Sequence, residues 1–230
     1  MRIAGLQKLS LVDYPGHLAA VVFLQGCNFR CGYCHNPGII TLDQDFGCDT
    51  EDVLSEIARL KDKIEGVVVT GGEPTMTPEL IDLIDRIKKT DLLVKLDTNG
   101  SDPSMLAELY RLRLVDYIAL DIKTSLGKYG LVTDVKGIAD TVAESVMWLK
   151  LSYISSEFRT TCVPGIVKEE DILEIGELVR GGRKYCLQQF SPAVTLDPAF
   201  RDKKPYTRSE LEHVRDILKP CVETVEIRGV

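Results

Sequence analysis

Six short apolar segments recur along the chain, and the stretches between them carry apolar residues at helical spacing. Apolar runs of this length are typical of strands that are buried on both faces, as in parallel sheets. The tetrapeptide Asp13–Gly16 contains Pro and Gly and predicts a turn, as in a hairpin that leads into the first strand. The six predicted strands are Ala20–Gln25, Gly66–Thr70, Leu92–Asp97, Tyr117–Lys123, Phe158–Val163 and Cys186–Phe190.

Helices are predicted between these strands. Thr77 is the expected N-cap of one helix, with Pro78 at its first position. Thr207, followed three residues later by Glu210, predicts a capping box at the start of the last helix. A short strand over Val222–Arg228 is expected to follow it. The predicted helices are Glu51–Lys61, Thr77–Lys89, one that opens at Asp102–Pro103, Asp140–Tyr153, Glu169–Arg180 and one that begins at Thr207.

The alternation of strand and helix predicts an α/β fold with parallel strands and right-handed crossovers. A complete eight-unit barrel typically takes about 250 residues, so a chain of 230 residues favours an incomplete barrel or an open doubly wound sheet. We expect a single domain over residues 1–230. Residues 1–19 form an N-terminal extension, 20–192 the repeating core, and 193–230 a C-terminal loop and helix.

Composition excludes several functional classes. The chain has 35 acidic and 28 basic residues, so it lacks the basic surface that nucleic-acid binding needs. No apolar run approaches the roughly 20 residues of a membrane span. The N-terminus shows no long apolar core followed by a small-residue cleavage site, as a signal peptide would. We therefore predict a cytoplasmic protein that binds neither nucleic acid nor membrane and whose thiols stay reduced.

Three of the seven cysteines, Cys27, Cys31 and Cys34, lie within eight residues of one another. The polar residues between them predict an exposed loop. A structural zinc site needs four ligands, and His35 is poorly placed to be the fourth because it directly follows Cys34. Three thiolates suit a 4Fe-4S cluster in which one iron keeps an open position. The other cysteines, namely Cys48, Cys162, Cys186 and Cys221, are expected to be structural.

Polar and glycine-rich residues follow the predicted strands. Because ligands bind at the carboxyl edge of parallel strands, this edge is the predicted site. Val163-Pro164-Gly165 fits an ordinary turn as well. The other sequences at this edge are Gly71-Gly72-Glu73-Pro74, Asp97-Thr98-Asn99-Gly100, Asp121-Ile122-Lys123 and Gln189-Phe190-Ser191-Pro192.

The spacing Cys27-x3-Cys31-x2-Cys34, with Tyr33 before the last cysteine, resembles the signature of the radical S-adenosylmethionine superfamily. Gly71-Gly72-Glu73-Pro74 strengthens this resemblance, which implies a partial (β/α)6 TIM-like barrel. The segments Leu6–Gly16, Phe23–Cys27 and Cys34–Pro37 are similar to activating proteins of anaerobic ribonucleoside-triphosphate reductases. They are also similar to pyruvate formate-lyase activating enzymes, so the likeness is to the glycyl-radical-enzyme activating family.

The resemblance implies roles for individual residues. Cys27, Cys31 and Cys34 would ligate three irons of one 4Fe-4S cluster, and S-adenosylmethionine would chelate the fourth. Gly71, Gly72 and Glu73, with Pro74 beside them, would hold the methionyl ammonium group. Contacts to the adenine are implied for Tyr33 and His35. Positions around the methionyl and ribose groups, or a nearby cation site, are implied for Asp97, Thr98, Asn99, Asp121 and Lys123. Ser191 stands where related activases place a ribose-contacting histidine.

The implied reaction is reductive cleavage of S-adenosylmethionine to methionine and a 5′-deoxyadenosyl radical. That radical would generate a glycyl radical on a partner enzyme, with anaerobic ribonucleoside-triphosphate reductase favoured. Flavodoxin or ferredoxin would donate the electron. The alternative is a radical enzyme for a small molecule, similar to 7-carboxy-7-deazaguanine synthase. A non-enzymatic zinc or iron-sulfur module is a third hypothesis, but it leaves the Gly-Gly-Glu-Pro sequence unexplained.

Overall fold

A computed structural model describes the whole chain, Met1–Val230. The eight strands follow one another in the sheet in the order of the chain. Strands β1 and β2 are antiparallel, whereas β2–β3, β3–β4, β6–β7 and β7–β8 are parallel. The strands are β1 Ile3–Ser10, β2 Ala19–Leu24, β3 Gly66–Gly71, β4 Leu93–Thr98, β5 Tyr117–Asp121, β6 Ser155–Cys162, β7 Gly182–Gln189 and β8 Val222–Arg228.

Helices connect the successive strands after β2, which confirms the predicted α/β fold of the partial (β/α)6 type. The last strand, β8, was also predicted correctly. No helix combines the length and apolar character that a membrane span requires. The helices are α1 Thr50–Leu60, α2 Leu80–Lys88, α3 Pro103–Arg111, α4 Tyr129–Thr133, α5 Ile138–Leu151, α6 Glu169–Leu178 and α7 Arg208–Leu218.

Some boundaries and one N-cap differ from prediction. Helix α2 begins at Leu80, and Thr77 instead ends a 3-10 turn over Pro74–Met76, donating its main-chain N–H to the Pro74 carbonyl at 2.9 Å. The prediction that Thr77 is an N-cap was therefore wrong, because Pro74 opens a turn of its own directly upstream. The capping box at Thr207 is confirmed, with its N–H donating to Glu210 Oε2 at 2.7 Å.

The pattern of apolar residues did not predict two of the elements, strand β1 and helix α4. Strand β1 lies beside β2 only, and most of its residues are partly or fully exposed, so it shows no continuous apolar run. Helix α4 spans only Tyr129–Thr133, which is too short for a helical period.

The chain forms two compact units. The first contains Met1–Asn28, Gly38–Thr98 and Ser104–Ile118, and the second contains Phe29–Pro37, Asn99–Pro103 and Ala119–Val230. Strands β2 and β3 form the centre of the first unit, where Val22, Val67 and Val69 are fully buried. In the second unit, β6 and β7 pair in register from Phe158 opposite Tyr185 to Cys162 opposite Gln189.

A buried carboxylate connects three strands of the second unit. Glu157 on β6 has no exposed surface, and Arg228 on β8 binds both of its oxygens at 2.9 and 2.7 Å. Lys184 on β7 lies 3.8 Å from the same carboxylate. Glu226, which is more exposed, binds Arg228 at 3.0 Å and Lys184 at 2.8 Å. Removal of Glu157 would therefore leave two cations without their buried counter-ion.

We predict that Glu157→Ala lowers the free energy of unfolding by about 3–5 kcal/mol, because it breaks a buried ion pair from one side. Urea denaturation of the cofactor-free protein measures the change. Glu226→Ala is the matched control in the same network, and its cost should stay below about 1 kcal/mol because that pair is partly solvated. Equal losses in the two variants would contradict this assignment of the buried charge.

Candidate functional site

In the first unit, the main chain at the end of β2 is in direct contact with the main chain at the end of β3. Gly72 donates its N–H to the Leu24 carbonyl at 2.9 Å, and Glu73 donates to the Gly26 carbonyl at 2.8 Å. A Cβ on Gly71 would lie 2.1 Å from the Leu24 carbonyl oxygen, and one on Gly72 would lie 1.9 Å from that of Gly26. Gly71 also has a φ of +132°, which side chains rarely adopt. The two glycines are thus required by the packing of the chain itself.

The main chain at Gly26 and Cys27 is also bound by residues that follow the three cysteines in the chain. Gly26 and Cys27 donate their N–H groups to the carbonyls of Ile39 and Ile40, at 2.7 and 3.0 Å. The buried Gln25 amide donates to two further carbonyls, those of Thr41 and Gln44, at 2.8 and 2.7 Å. The first cysteine therefore follows a main chain that is fixed from both sides.

Glu73 is a buried carboxylate with only 1% of its surface exposed. Its Oε1 accepts hydrogen bonds from Thr75 N at 3.1 Å, Thr75 Oγ1 at 2.6 Å and Thr98 Oγ1 at 2.8 Å. The first of these bonds makes Glu73 the N-cap of the 3-10 turn that Pro74 opens. Glu73 is therefore oriented by the chain before any ligand binds, and Thr98 takes part in that orientation.

Asp97 pairs with a buried lysine that the sequence analysis did not single out. Lys95 and Asp97 lie two residues apart on β4, so their side chains share a face of the strand. They form an ion pair in which Lys95 is 1% and Asp97 14% exposed. A lysine inside an otherwise apolar strand was the available signal, because buried lysines are almost always paired.

The cysteine loop is less exposed than predicted. Of the part in the second unit, Cys31 is 7% exposed and Tyr33 is 4% exposed, whereas Cys34 is half-buried. Cys27, in the first unit, is also half-buried. The prediction that all three cysteines are exposed was therefore wrong. Phe29 and Tyr33, on either side of Cys31, are buried, and Cys31 is buried together with them. A 2.9 Å hydrogen bond from Cys34 N to the Cys31 carbonyl closes a turn between these two cysteines.

Burial also changes the pKa values of two side chains in this part of the loop. It raises the pKa of the Cys31 thiol, an effect that the nearby Lys123 ammonium opposes. The Tyr33 hydroxyl is buried without a hydrogen-bond partner, and burial raises its pKa well above the usual range. All seven cysteines are free thiols, and no group of three or more His, Cys, Asp or Glu side chains is arranged as a metal site.

Asp121, at the end of β5, binds two cations of the second unit. Arg159 Nε donates to its Oδ1 at 2.7 Å, and Lys123 Nζ donates to its Oδ2 at 3.0 Å. Burial opposes the charged form of Asp121, but Arg159 and Lys123 outweigh it and hold the pKa of this carboxyl below its usual range. Burial likewise opposes the Lys123 charge, and Asp121 nevertheless raises the pKa of Lys123.

Arg159 was not singled out from the sequence, although a charged residue inside the predicted strand Phe158–Val163 indicates a buried partner. The remaining predicted residues of the second unit lie as follows. The His35 ring stacks on Phe190 with centroids 6.2 Å apart, and burial lowers the pKa of His35. Ser191 is exposed, and Asn99 Oδ1 accepts the Ser101 N–H at 2.9 Å. Cys162, Cys186 and Cys221 are buried, as expected of structural residues.

We predict that Gly72→Ala lowers the free energy of unfolding by about 1–3 kcal/mol or more, because the new methyl group overlaps the Gly26 carbonyl and forces the main chain apart. Gly5→Ala is the matched control, since nothing lies within 4 Å of a Cβ at Gly5. It should change stability by less than about 1 kcal/mol. Urea denaturation measures both variants, and a Gly72→Ala protein as stable as the Gly5→Ala protein would contradict the close approach of β2 and β3.

Known proteins are similar to this chain over most of its length. The profile of the radical SAM superfamily matches residues 21–179. A glycyl-radical enzyme activating enzyme of Methanocaldococcus jannaschii is 33% identical over 99% of this chain and 96% of its own length. The pyruvate formate-lyase-activating enzyme of Clostridium pasteurianum is 35% identical over 96% of this chain and 98% of its own length.

The fold is also found in a solved structure. Streptococcus suis SuiB bound to S-adenosylmethionine superposes with a TM-score of 0.69 at 15% identity, over 91% of this chain and 52% of SuiB. This chain thus spans about half of SuiB, and the likeness concerns the fold alone. The superfamily uses a 4Fe-4S cluster together with S-adenosylmethionine. The protein belongs to the radical SAM superfamily and, within it, to the enzymes that activate glycyl radical enzymes.

Proposed function

We propose that the protein installs a glycyl radical on a partner enzyme, with anaerobic ribonucleoside-triphosphate reductase as the favoured partner. The observation that carries the activase function is the full-length likeness to activating enzymes, which covers 99% and 96% of this chain. The choice of reductase rests on the segments Leu6–Gly16, Phe23–Cys27 and Cys34–Pro37, which resemble reductase-activating proteins. Flavodoxin or ferredoxin is the proposed electron donor. A cytoplasmic location and a single functional domain over residues 1–230 stay predictions.

Cys27, Cys31 and Cys34 are the proposed ligands of the 4Fe-4S cluster. Thiolates are the ligands that such clusters take, and these three follow one another within a single loop. The buried Tyr33 hydroxyl, which has no partner within the protein, supports the presence of a bound group beside the loop.

Glu73 is proposed to bind the ammonium group of S-adenosylmethionine, and Lys123 is proposed to bind its carboxylate. The Glu73 carboxylate is held in place by Thr75 and Thr98 and suits an ammonium group through charge-assisted hydrogen bonds. The Lys123 ammonium, which donates to Asp121 Oδ2 at 3.0 Å, suits a carboxylate through charge-assisted hydrogen bonds. When bound, the reduced cluster and S-adenosylmethionine supply a 5′-deoxyadenosyl radical, which abstracts hydrogen from the substrate.

The other predicted residues have supporting roles in this proposal. Gly71, Gly72 and Pro74 shape the main chain that presents Glu73. Asp97 is paired with Lys95, and Asn99 forms the turn after β4. Adenine contacts are proposed for Tyr33 and for His35, whose ring lies on Phe190. Ser191 is exposed and offers only a hydroxyl where related activases use a histidine.

We predict that anaerobic reconstitution with iron and sulfide loads about four irons per chain. Cys31→Ala should reduce the iron content to background, because the cluster loses one of its three protein ligands. Cys186→Ala is the matched control, since Cys186 is a fully buried thiol within β7. Iron analysis and the visible absorption of the cluster measure the result. Full loading of Cys31→Ala, or a stable zinc site in its place, would contradict the proposed ligands.

We predict that the reduced, reconstituted protein with S-adenosylmethionine produces a glycyl doublet in electron paramagnetic resonance spectra of its partner. The partners to be tested are the full-length glycyl radical enzymes of the source genome, with the anaerobic reductase first. Glu73→Gln should lower the radical yield at limiting S-adenosylmethionine by about tenfold, because a charge-assisted hydrogen bond is lost. Cleavage that no glycyl radical enzyme accepts, but that a purine-like small molecule stimulates, would instead support the alternative synthase function.

A further inference from the structure

Tyr129 is a buried side chain to which nothing above assigns a role. It opens helix α4, and none of its surface is exposed. Its hydroxyl accepts a hydrogen bond from the Lys123 main-chain N–H at 3.0 Å and lies 3.3 Å from the Asp121 carbonyl, to which it donates. One hydroxyl thus binds main-chain groups on both sides of Ile122, directly where β5 ends.

This position matters because Asp121 and Lys123 carry the charged cluster described above. The Asp121 carboxylate meets Arg159 Nε at 2.7 Å and Lys123 Nζ at 3.0 Å. The direction of both side chains depends on the main-chain dihedrals of the three residues that end β5. A buried N–H that loses its acceptor is costly, so without the tyrosine hydroxyl this main chain would favour another conformation.

The same short helix also contacts the cysteine loop. The Phe29 ring stands edge-on to the Tyr129 ring, with centroids 6.4 Å apart. Arg30 donates its main-chain N–H to the Thr133 carbonyl at 2.8 Å. Thr133 Oγ1 in turn donates to the Tyr129 carbonyl at 2.8 Å, which ties the end of the helix to its beginning. Phe29 and Arg30 directly precede Cys31, so α4 supports the loop at that cysteine.

We propose that Tyr129 is a positioning residue that holds the Phe29–Cys31 segment of the loop in a fixed relation to Asp121 and Lys123. The ring contacts the loop, and the hydroxyl sets the main chain of the charged cluster. The inference rests on the proposed roles of Cys31 in cluster binding and of Lys123 in binding the carboxylate of S-adenosylmethionine. It assigns to α4 a function in the alignment of these two groups.

The test is Tyr129→Phe, which keeps the ring contact with Phe29 and removes only the hydroxyl. In the cofactor-free protein, amide hydrogen exchange over residues 121–124 should accelerate by about tenfold, because the Lys123 N–H loses its acceptor. In the reconstituted protein, the dissociation constant for S-adenosylmethionine should rise by about tenfold. The iron content should stay at that of the wild-type protein, because the ring still supports the loop.

Tyr206→Phe is the matched control. The Tyr206 hydroxyl also donates to a main-chain carbonyl, that of Val167 at 2.9 Å, and its removal should change neither exchange at 121–124 nor the affinity for S-adenosylmethionine. Thr133→Ala is a second variant in case Tyr129→Phe does not fold. It removes the bond from Thr133 to the Tyr129 carbonyl, so both quantities should change in the same direction by about threefold.

Two results would overturn the proposal. One is unchanged exchange at 121–124 in Tyr129→Phe, or in Thr133→Ala if only that variant folds. The other is accelerated exchange with wild-type affinity for S-adenosylmethionine, which would reduce Tyr129 to a purely structural residue. A wild-type protein that takes up no iron would contradict the proposed function instead. In that case the exchange measurement, which needs no cofactor, still decides whether Tyr129 positions Asp121 and Lys123.

Discussion

The close approach of two main chains at the ends of β2 and β3 is the constraint on which the first part of the site depends. Only glycine fits at positions 71 and 72, because a Cβ there would overlap the carbonyls of Leu24 and Gly26. The resulting hydrogen bond from Glu73 N to the Gly26 carbonyl fixes the start of the cysteine loop beside the Glu73 carboxylate. The Gly-Gly-Glu-Pro sequence therefore has a structural cause that holds without any ligand. The same geometry presents a buried, oriented carboxylate to a cationic group.

The second part of the site depends on charge rather than on close packing. Asp121 is held by Arg159 Nε at 2.7 Å and by Lys123 Nζ at 3.0 Å. In the proposed function, the Glu73 carboxylate suits the ammonium group of the cofactor and the Lys123 ammonium suits its carboxylate. Both groups are bound by neighbouring residues. Thr98 donates a hydrogen bond to the Glu73 carboxylate, and the Tyr129 hydroxyl accepts one from the Lys123 main-chain N–H.

Much of this arrangement could be predicted from the sequence, because short apolar runs identify strands and the carboxyl ends of parallel strands identify the expected site. The residues that orient the site were harder to find. Lys95 and Arg159 stand inside predicted strands, and only the rule that buried charges are paired points to them. Helix α4 is too short for a periodic signal, so Tyr129 was not singled out. The burial of Cys31 could not be predicted either, because it follows from the inward orientation of Phe29 and Tyr33.

The central claim is that three protein thiolates leave one iron of a single cluster open for S-adenosylmethionine. Mössbauer spectroscopy of the protein reconstituted with iron-57 tests it most directly, because the method distinguishes the irons of one cluster by their ligands. The account predicts four irons per chain, of which one changes its spectrum when S-adenosylmethionine is added while the other three do not. A spectrum that S-adenosylmethionine leaves unchanged, or that shows a second cluster, would contradict the account.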